Sequence, residues 1–197
     1  MDVSDRRQMW EEKWSRPDFQ PGWRVRSVPE EVREAVEQRW FPPGASLLDI
    51  GCGGGELSAW LARRGLEVVG VDFSGAAVAR AQLAYRGRAR LSFRTVDIYR
   101  ESPQPDRFDA LLDRGCLHGI PPEDWAGYLL YVAAAARPAA RFLLIHRISP
   151  ERDREKVIVD VEALCSESFE IVRSADAVLG RRGERERLGV AFWMIRR

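Results

Sequence analysis

The sequence predicts an α/β fold: a single doubly wound, mostly parallel sheet of seven strands with a C-terminal antiparallel hairpin. Three observations predict it. Short apolar runs alternate with helical stretches along most of the chain, as in a parallel sheet covered on both faces. A glycine-rich stretch, "DIGCGGGE" (49–56), follows the first of these runs and opens a helix. The last two runs are joined by "AVLGRRGERE", too short and too polar for a crossover helix, so they pair antiparallel.

The elements follow in order. "PEEVREAVEQRW" (29–40) is a helix with Pro29 in its first turn and acidic residues near its N-terminus, and "FPPGA" ends it. "SLLDI" (46–50) is a short apolar strand, and "ELSAWLARR" (56–64) a helix stopped by Gly65. "LEVVGVD" (66–72) is the second strand, and "SGAAVARAQLAYR" (74–86) a helix capped by Ser74. "LSFRTVD" (91–97) and "RFDALLD" (107–113) are the third and fourth strands. "PEDWAGYLLYVAAAA" (122–136) is a helix begun at Pro122, "RFLLIHR" (141–147) the fifth strand, and "REKVIVDVEALC" (154–165) a helix. "FEIVRSAD" (169–176) and "RLGVAFWMIR" (187–196) complete the sheet.

A chain of 197 residues is enough for one domain, read here as 1–197 with a Trp-rich N-terminal segment (1–28) and a core (29–197). With 31 basic against 30 acidic residues, no global field points to nucleic acid or a membrane as partner. No apolar run approaches the roughly 18 residues of a bilayer span, and the charged start is unlike a signal peptide. A cytoplasmic protein, by default a monomer, is expected. Three isolated cysteines and two histidines provide no zinc pattern and no disulfide framework. Four of the seven tryptophans (Trp10, Trp14, Trp23, Trp40) precede the first strand, where they staple the N-terminal segment to the body or line a pocket.

In a doubly wound sheet the ligand lies beyond the carboxyl ends of the strands at the switch point, which is where the glycine turn stands. A triphosphate loop is excluded, because no lysine and hydroxyl follow the glycines. A dinucleotide site is the weaker reading: Gly51 and Gly53 match its first two glycines, but Glu56 stands where a third glycine or alanine belongs. A carboxylate there would also oppose the pyrophosphate.

Acids recur at three successive strand ends: Asp49 before the turn, Asp72 after "VVGV", and Asp97 in "TVDIY". Over residues 45–147 this pattern resembles the class I S-adenosylmethionine-dependent methyltransferases, and the resemblance implies their Rossmann-like fold and that cofactor. Asp49 would meet the cofactor's cationic methionine end, and Gly51 and Gly53 would let backbone approach it. Asp72 would accept the ribose hydroxyls, and Asp97 with Ile98 would hold the adenine. Cys52 in the turn and Phe73 beside Asp72 join the expected cofactor-binding set.

The segment "FDALLDRGCLHGIPPEDWAGYL" (108–129), with "WEEKW" (10–14) upstream, resembles the thiopurine S-methyltransferase family. That resemblance maps a cofactor-contacting arginine onto Arg114 and a lid tryptophan onto Trp10, with Trp14 beside it. Phe19 or Trp23 would be the substrate-facing aromatic. The chain departs from that family in its complete glycine turn and in Asp72, where the family often has glutamate, so the substrate is not implied with it.

Methyl transfer to a small molecule, with a thiol or other soft nucleophile as first acceptor, is the expected activity. An O- or N-methyltransferase of a secondary-metabolite pathway would need a base, for which His118 is the candidate, with His146 as a possible neighbour in space. Asp113 would orient the substrate, or else pair with Arg114. Cys116 is read as a small packed residue rather than a catalytic thiol. A rival outside catalysis is a cofactor-binding partner subunit that has lost its chemistry.

Overall fold

The computed structural model describes residues 3–21, 28–182 and 185–197. The elements are α1 (Val3–Ser15), α2 (Glu30–Glu37), β1 (Ser46–Ile50), α3 (Glu56–Arg63), β2 (Glu67–Asp72), α4 (Gly75–Ala84) and β3 (Leu91–Thr95). They continue with β4 (Phe108–Arg114), α5 (Trp125–Ala135), β5 (Ala136–Arg147), α6 (Arg154–Cys165), β6 (Phe169–Arg182) and β7 (Arg185–Arg196). Two short 3-10 turns, Leu117–Gly119 and Pro122–Asp124, lie between β4 and α5.

The strands form one seven-stranded sheet in the order β3-β2-β1-β4-β5-β7-β6. The first five pair in parallel, and β7 runs antiparallel to both β5 and β6. The fold class expected from the sequence is therefore the one found. The chain winds outward from β1 to β3 and then returns to β4 on the other side of β1. That reversal leaves a crevice beyond the carboxyl ends of β1 and β4.

Each face of the sheet has its own apolar layer. On one side Leu48, Leu111, Phe142 and Phe192 pack with Tyr128 and Val132 of α5 and Val157 and Val161 of α6. On the other, Leu47, Leu112, Leu143 and Trp193 pack with Val32 of α2 and Leu57 and Leu61 of α3. Alternation along each strand sends neighbours to opposite layers. Ser74 caps α4 by accepting from the Ala77 amide at 3.1 Å, as its residue type and position predict.

Several boundaries differ from the expectations: the helix read from Pro122 begins at Trp125 after a 3-10 turn, and the helix read to Trp40 ends at Glu37. The charged N-terminal stretch is a helix, α1, although it lacks an apolar stripe. β5 begins at Ala136 instead of Arg141, and its register with β4 shifts between Phe108 and Ala110. Pro138, which has no amide to donate, and Ala139, at φ 63°, lie in that irregular part. β3 stops at Thr95, so Asp97 stands in the loop beyond it. β6 and β7 run on through the polar stretch read as a turn, because ladder hydrogen bonds need no apolar side chains.

Candidate active site

Parallel register brings the ends of β1, β2 and β4 level: Ile50 pairs with Val71 on one side and with Asp113 on the other. Beyond these ends lies a cavity of about 410 Å³, within the usual size of small-molecule sites. Gly51, Gly53, Asp72 and Phe73 line it from β1 and β2, and Asp97 and Ile98 from the loop after β3. Arg114, Cys116 and His118 line it from the end of β4, and Arg147 from the end of β5. Trp10 and Trp14 of α1 cover it. Of the thirteen residues expected to bind cofactor or act in catalysis, ten thus share one cavity.

Asp72 is held by backbone amides alone. Its Oδ2 accepts from Gly53 at 3.0 Å and its Oδ1 from Ser74 at 2.9 Å. Burial raises its pKa above the ordinary value despite these donors. A carboxylate fixed this way still has lone pairs for the cis-diol of a ribose. The donor set therefore fits the nucleoside part of S-adenosylmethionine.

The turn glycines answer to the protein itself as much as to a ligand. A Cβ on Gly51, at φ 69°, would lie 2.8 Å from the Cβ of Cys116. A Cβ on Gly53, at φ 53°, would lie 3.0 Å from Cζ2 of Trp14. The first lets the loop after β4 close onto β1, and the second lets α1 close onto the turn.

Three expected site residues do not line the cavity. Asp49 is 3% exposed and lies beneath the cavity without lining it. Its Oδ2 accepts from the Ser58 hydroxyl of α3, and burial, with Asp113 and Asp72 nearby, pushes it up to about 7. Cys52 packs beside Phe93, away from the cavity. Asp113 is fully buried: it accepts from the amides of Cys116 (2.7 Å) and Leu117 (3.0 Å) and from Tyr128 Oη (2.6 Å). It braces the loop that carries His118 and does not itself line the cavity. It does not pair with Arg114 either, because adjacent strand residues face opposite sides. Arg114 donates from Nη2 to the Leu179 carbonyl at 2.7 Å, and its buried Nε has no partner among the described residues.

The N-terminal segment contributes residues that the sequence reading missed. Arg7 donates to Asp97 Oδ2 at 2.7 Å, and Arg6 to the Gly119 carbonyl at 2.8 Å. Glu11 accepts from the Ser74 hydroxyl at 2.7 Å and from the Ala76 amide at 3.1 Å, so it caps α4 from outside. Helical spacing of Arg7, Trp10, Glu11 and Trp14 was the available signal, since i, i+3, i+4 and i+7 share one face. Trp14 is 7% exposed and meets Phe19 edge-on at 5.2 Å. Trp23 lies outside the described residues.

His118 sits in the 3-10 turn after β4, with its ring 5.8 Å from that of His146. His146 in turn lies 5.6 Å from Trp125 and shares its Nδ1 with the Arg147 carbonyl at 2.9 Å. His146 is 2% exposed and does not line the cavity. The Nδ1 of His118 is buried with no hydrogen-bond partner among the described residues. Burial first, then His146 and the guanidiniums of Arg147, Arg114 and Arg187, lowers His118 to about 3. The imidazole is therefore neutral over the physiological range. The Cys116 thiol is pushed well above its ordinary value by burial and nearby carboxylates, so it remains protonated.

Comparison with known proteins agrees with this geometry. Residues 47–139 match the family described as "Methyltransferase domain". The 2-heptyl-1-hydroxyquinolin-4(1H)-one methyltransferase of Mycobacteroides abscessus is 29% identical over 64% of this chain and 55% of its own. The ubiquinone biosynthesis O-methyltransferase of Alkalilimnicola ehrlichii is 42% identical over 40% of this chain and 32% of its own. The matches thus span about half or less of these curated relatives. Among solved structures, a protein from a study of the conversion of a disulfide bond into a thioacetal group during echinomycin biosynthesis superposes with a TM-score of 0.80. It is 19% identical, with 96% of this chain and 92% of that one covered. The N-methyltransferase NodS of Bradyrhizobium japonicum WM9, in complex with S-adenosyl-L-homocysteine, gives 0.71 at 18% identity, covering 97% of each chain. Residues 47–139 thus match a methyltransferase domain, and the chain has the fold of solved S-adenosylmethionine-dependent methyltransferases.

Proposed function

We propose that the protein transfers a methyl group from S-adenosylmethionine to a hydroxyl group of a small molecule. The observation that carries the acceptor type is His118, a neutral imidazole lining the cavity at the end of β4. Asp72, Phe73, Asp97, Ile98 and Trp10 are the residues that would hold the cofactor. Bound there, it supplies a methyl group already activated as a sulfonium. What remains for the protein is orientation, exclusion of water and a destination for the acceptor's proton.

His118 accepts the hydroxyl's hydrogen bond and receives that proton. Even a weakly basic imidazole suffices, because a hydroxyl becomes strongly acidic as its oxygen forms a new bond. Asp113 acts through this residue, fixing the backbone at Cys116 and Leu117 so that the 3-10 turn presents the ring. Trp10 and Trp14 keep water out. The names of the curated relatives, several of them O-methyltransferases, favour the same acceptor. A thiol, the first acceptor expected from the sequence, would leave His118 without a task. The narrower likeness to thiopurine S-methyltransferases rests on Trp10, Trp14 and Arg114 lining the cavity, and it concerns cofactor binding alone.

Labelled methyl transfer onto matched phenols, amines and thiols tests this reading. Wild type is expected to favour phenols, with His118→Ala lowering their kcat/KM by about a hundredfold or more and leaving cofactor binding intact. Phenol turnover that survives the substitution refutes the role of His118. Absence of calorimetric binding of S-adenosylmethionine refutes the activity as a whole.

A further inference from the structure

Charged side chains line both ends of the cavity, but only at one end are its acids already met by arginine: Arg7 pairs with Asp97. Its lining acids, Asp72 and Asp97, stand at the β2–β3 side of the sheet. At the β5–β7 side, Arg147 closes β5 and Arg187 lies near the start of β7, and both line the cavity with His118. Arg147 pairs across the sheet with Gly189, which brings Arg187 to the same end. Arg114 is committed to Leu179, whereas the side chains of Arg147 and Arg187 form no hydrogen bond or ion pair among the described residues. The acid whose charge Arg147 senses is Glu151, which is fully exposed and outside the cavity.

Ile120 and Leu179 line the same cavity, while Arg147 is exposed and Arg187 half-buried. Low-dielectric walls focus a field of one sign and favour a counter-charge brought by a ligand. The guanidinium fork matches a carboxylate in shape as well as in charge. We propose that the methyl acceptor is an organic carboxylate with an apolar body, its anionic group held by Arg147 and Arg187 and its hydroxyl turned to His118. This assignment rests on the methyltransferase reading and supplies its substrate class.

Calorimetry tests it on the full chain, alone and saturated with S-adenosylhomocysteine. The probes are 4-hydroxyphenylacetate, 4-hydroxyphenylacetamide and hexanoate. In low salt each acid is expected to bind at least about tenfold more tightly than the amide, as charge-assisted pairing implies. The combined variant Arg147→Gln, Arg187→Gln should erase that preference while binding S-adenosylhomocysteine as wild type does. Each single variant is measured as well, with circular dichroism to verify folding. Equal binding of acid and amide, no binding of either acid, or a preference that survives in the variants overturns the proposal. Failure of S-adenosylhomocysteine to bind would overturn the methyltransferase reading instead, and the carboxylate preference of the unliganded chain would still decide the role of the arginines.

Discussion

Asp49→Asn should stabilise the protein at alkaline pH and do almost nothing at acid pH. Asp49 is buried, and the Ser58 hydroxyl is its hydrogen-bonding side-chain partner, with Asp113 and Asp72 adding repulsion. Its carboxyl rises from 3.8 in an exposed setting to about 7 in the fold. The folded state therefore holds a proton that the unfolded chain releases between about pH 4 and pH 7, and stability falls as pH rises through that window. The difference amounts to about 4 kcal/mol once pH exceeds 8, and under 1 kcal/mol at pH 4. Asparagine keeps an acceptor for Ser58 and carries no charge. Urea denaturation at pH 4 and pH 8 should show the variant more stable by about 2–4 kcal/mol at pH 8 and nearly equal at pH 4. In a chain of this length that corresponds to a melting temperature roughly 5–15 °C higher at pH 8. Asp113, pushed up to about 6, adds its own slope to both proteins and largely cancels in the difference. A variant less stable than wild type at pH 8, or a gain that is the same at both pH values, would refute the reasoning.

Three further perturbations test the architecture of the site. Gly53→Ala places a methyl group 3.0 Å from Trp14 at a left-handed φ, and should cost about 1–3 kcal/mol. A double-mutant cycle with Trp14→Phe, read by urea denaturation, separates the contact from the backbone strain. Glu11→Ala removes the outside cap of α4 and should cost about 1 kcal/mol, visible as roughly fivefold faster amide exchange across Val3–Ser15. Unchanged exchange there would show that Glu11 does not hold α1. Tyr128→Phe deletes a 2.6 Å bond to Asp113 and should cost about 1–3 kcal/mol. Because that bond lowers the pKa of Asp113, the loss should be larger at pH 8 than at pH 4. Equal losses at both values would place the tyrosine's worth in packing.

The parts of this molecule governed by local rules were legible in the sequence. Strand alternation gave the sheet, the turn composition gave the switch point, and Ser74 gave a helix cap. Asp72 was legible because its position at a strand end fixes where its carboxylate goes. Asp49 and Asp113 occupy equally favourable sequence positions, but each side chain turns inward to a hydroxyl on a following helix, Ser58 or Tyr128. Which way each carboxylate turns depends on how that helix packs. α1 lacks the apolar period by which surface helices are recognised, and its contacts to Asp97 and Ser74 span 90 and 63 residues. The arginines at the acceptor end, Arg147 and Arg187, come together only through the antiparallel register of β5 and β7.

The way α1 is attached bears on how the site is loaded. Among its described side chains, Trp14 alone is a buried apolar residue, and the other anchors are polar: Arg6 to Gly119, Arg7 to Asp97, and Glu11 to Ser74 and Ala76. Partly exposed pairs of this kind contribute little each, whereas the seven-stranded sheet is knit by backbone ladders and two apolar layers. Local opening of α1 is thus cheaper than any opening of the sheet. Two of its anchors end on Asp97 and on the helix start just after Asp72, at the carboxylates proposed to hold the cofactor. A ligand that satisfies those carboxylates and stacks on Trp10 binds the closed form better than the open one, which shifts the population toward closure. The same closure drives Trp14 onto Gly53, and a side chain at that position would oppose it. Gly53 therefore leaves room for Trp14 of α1 at the cavity.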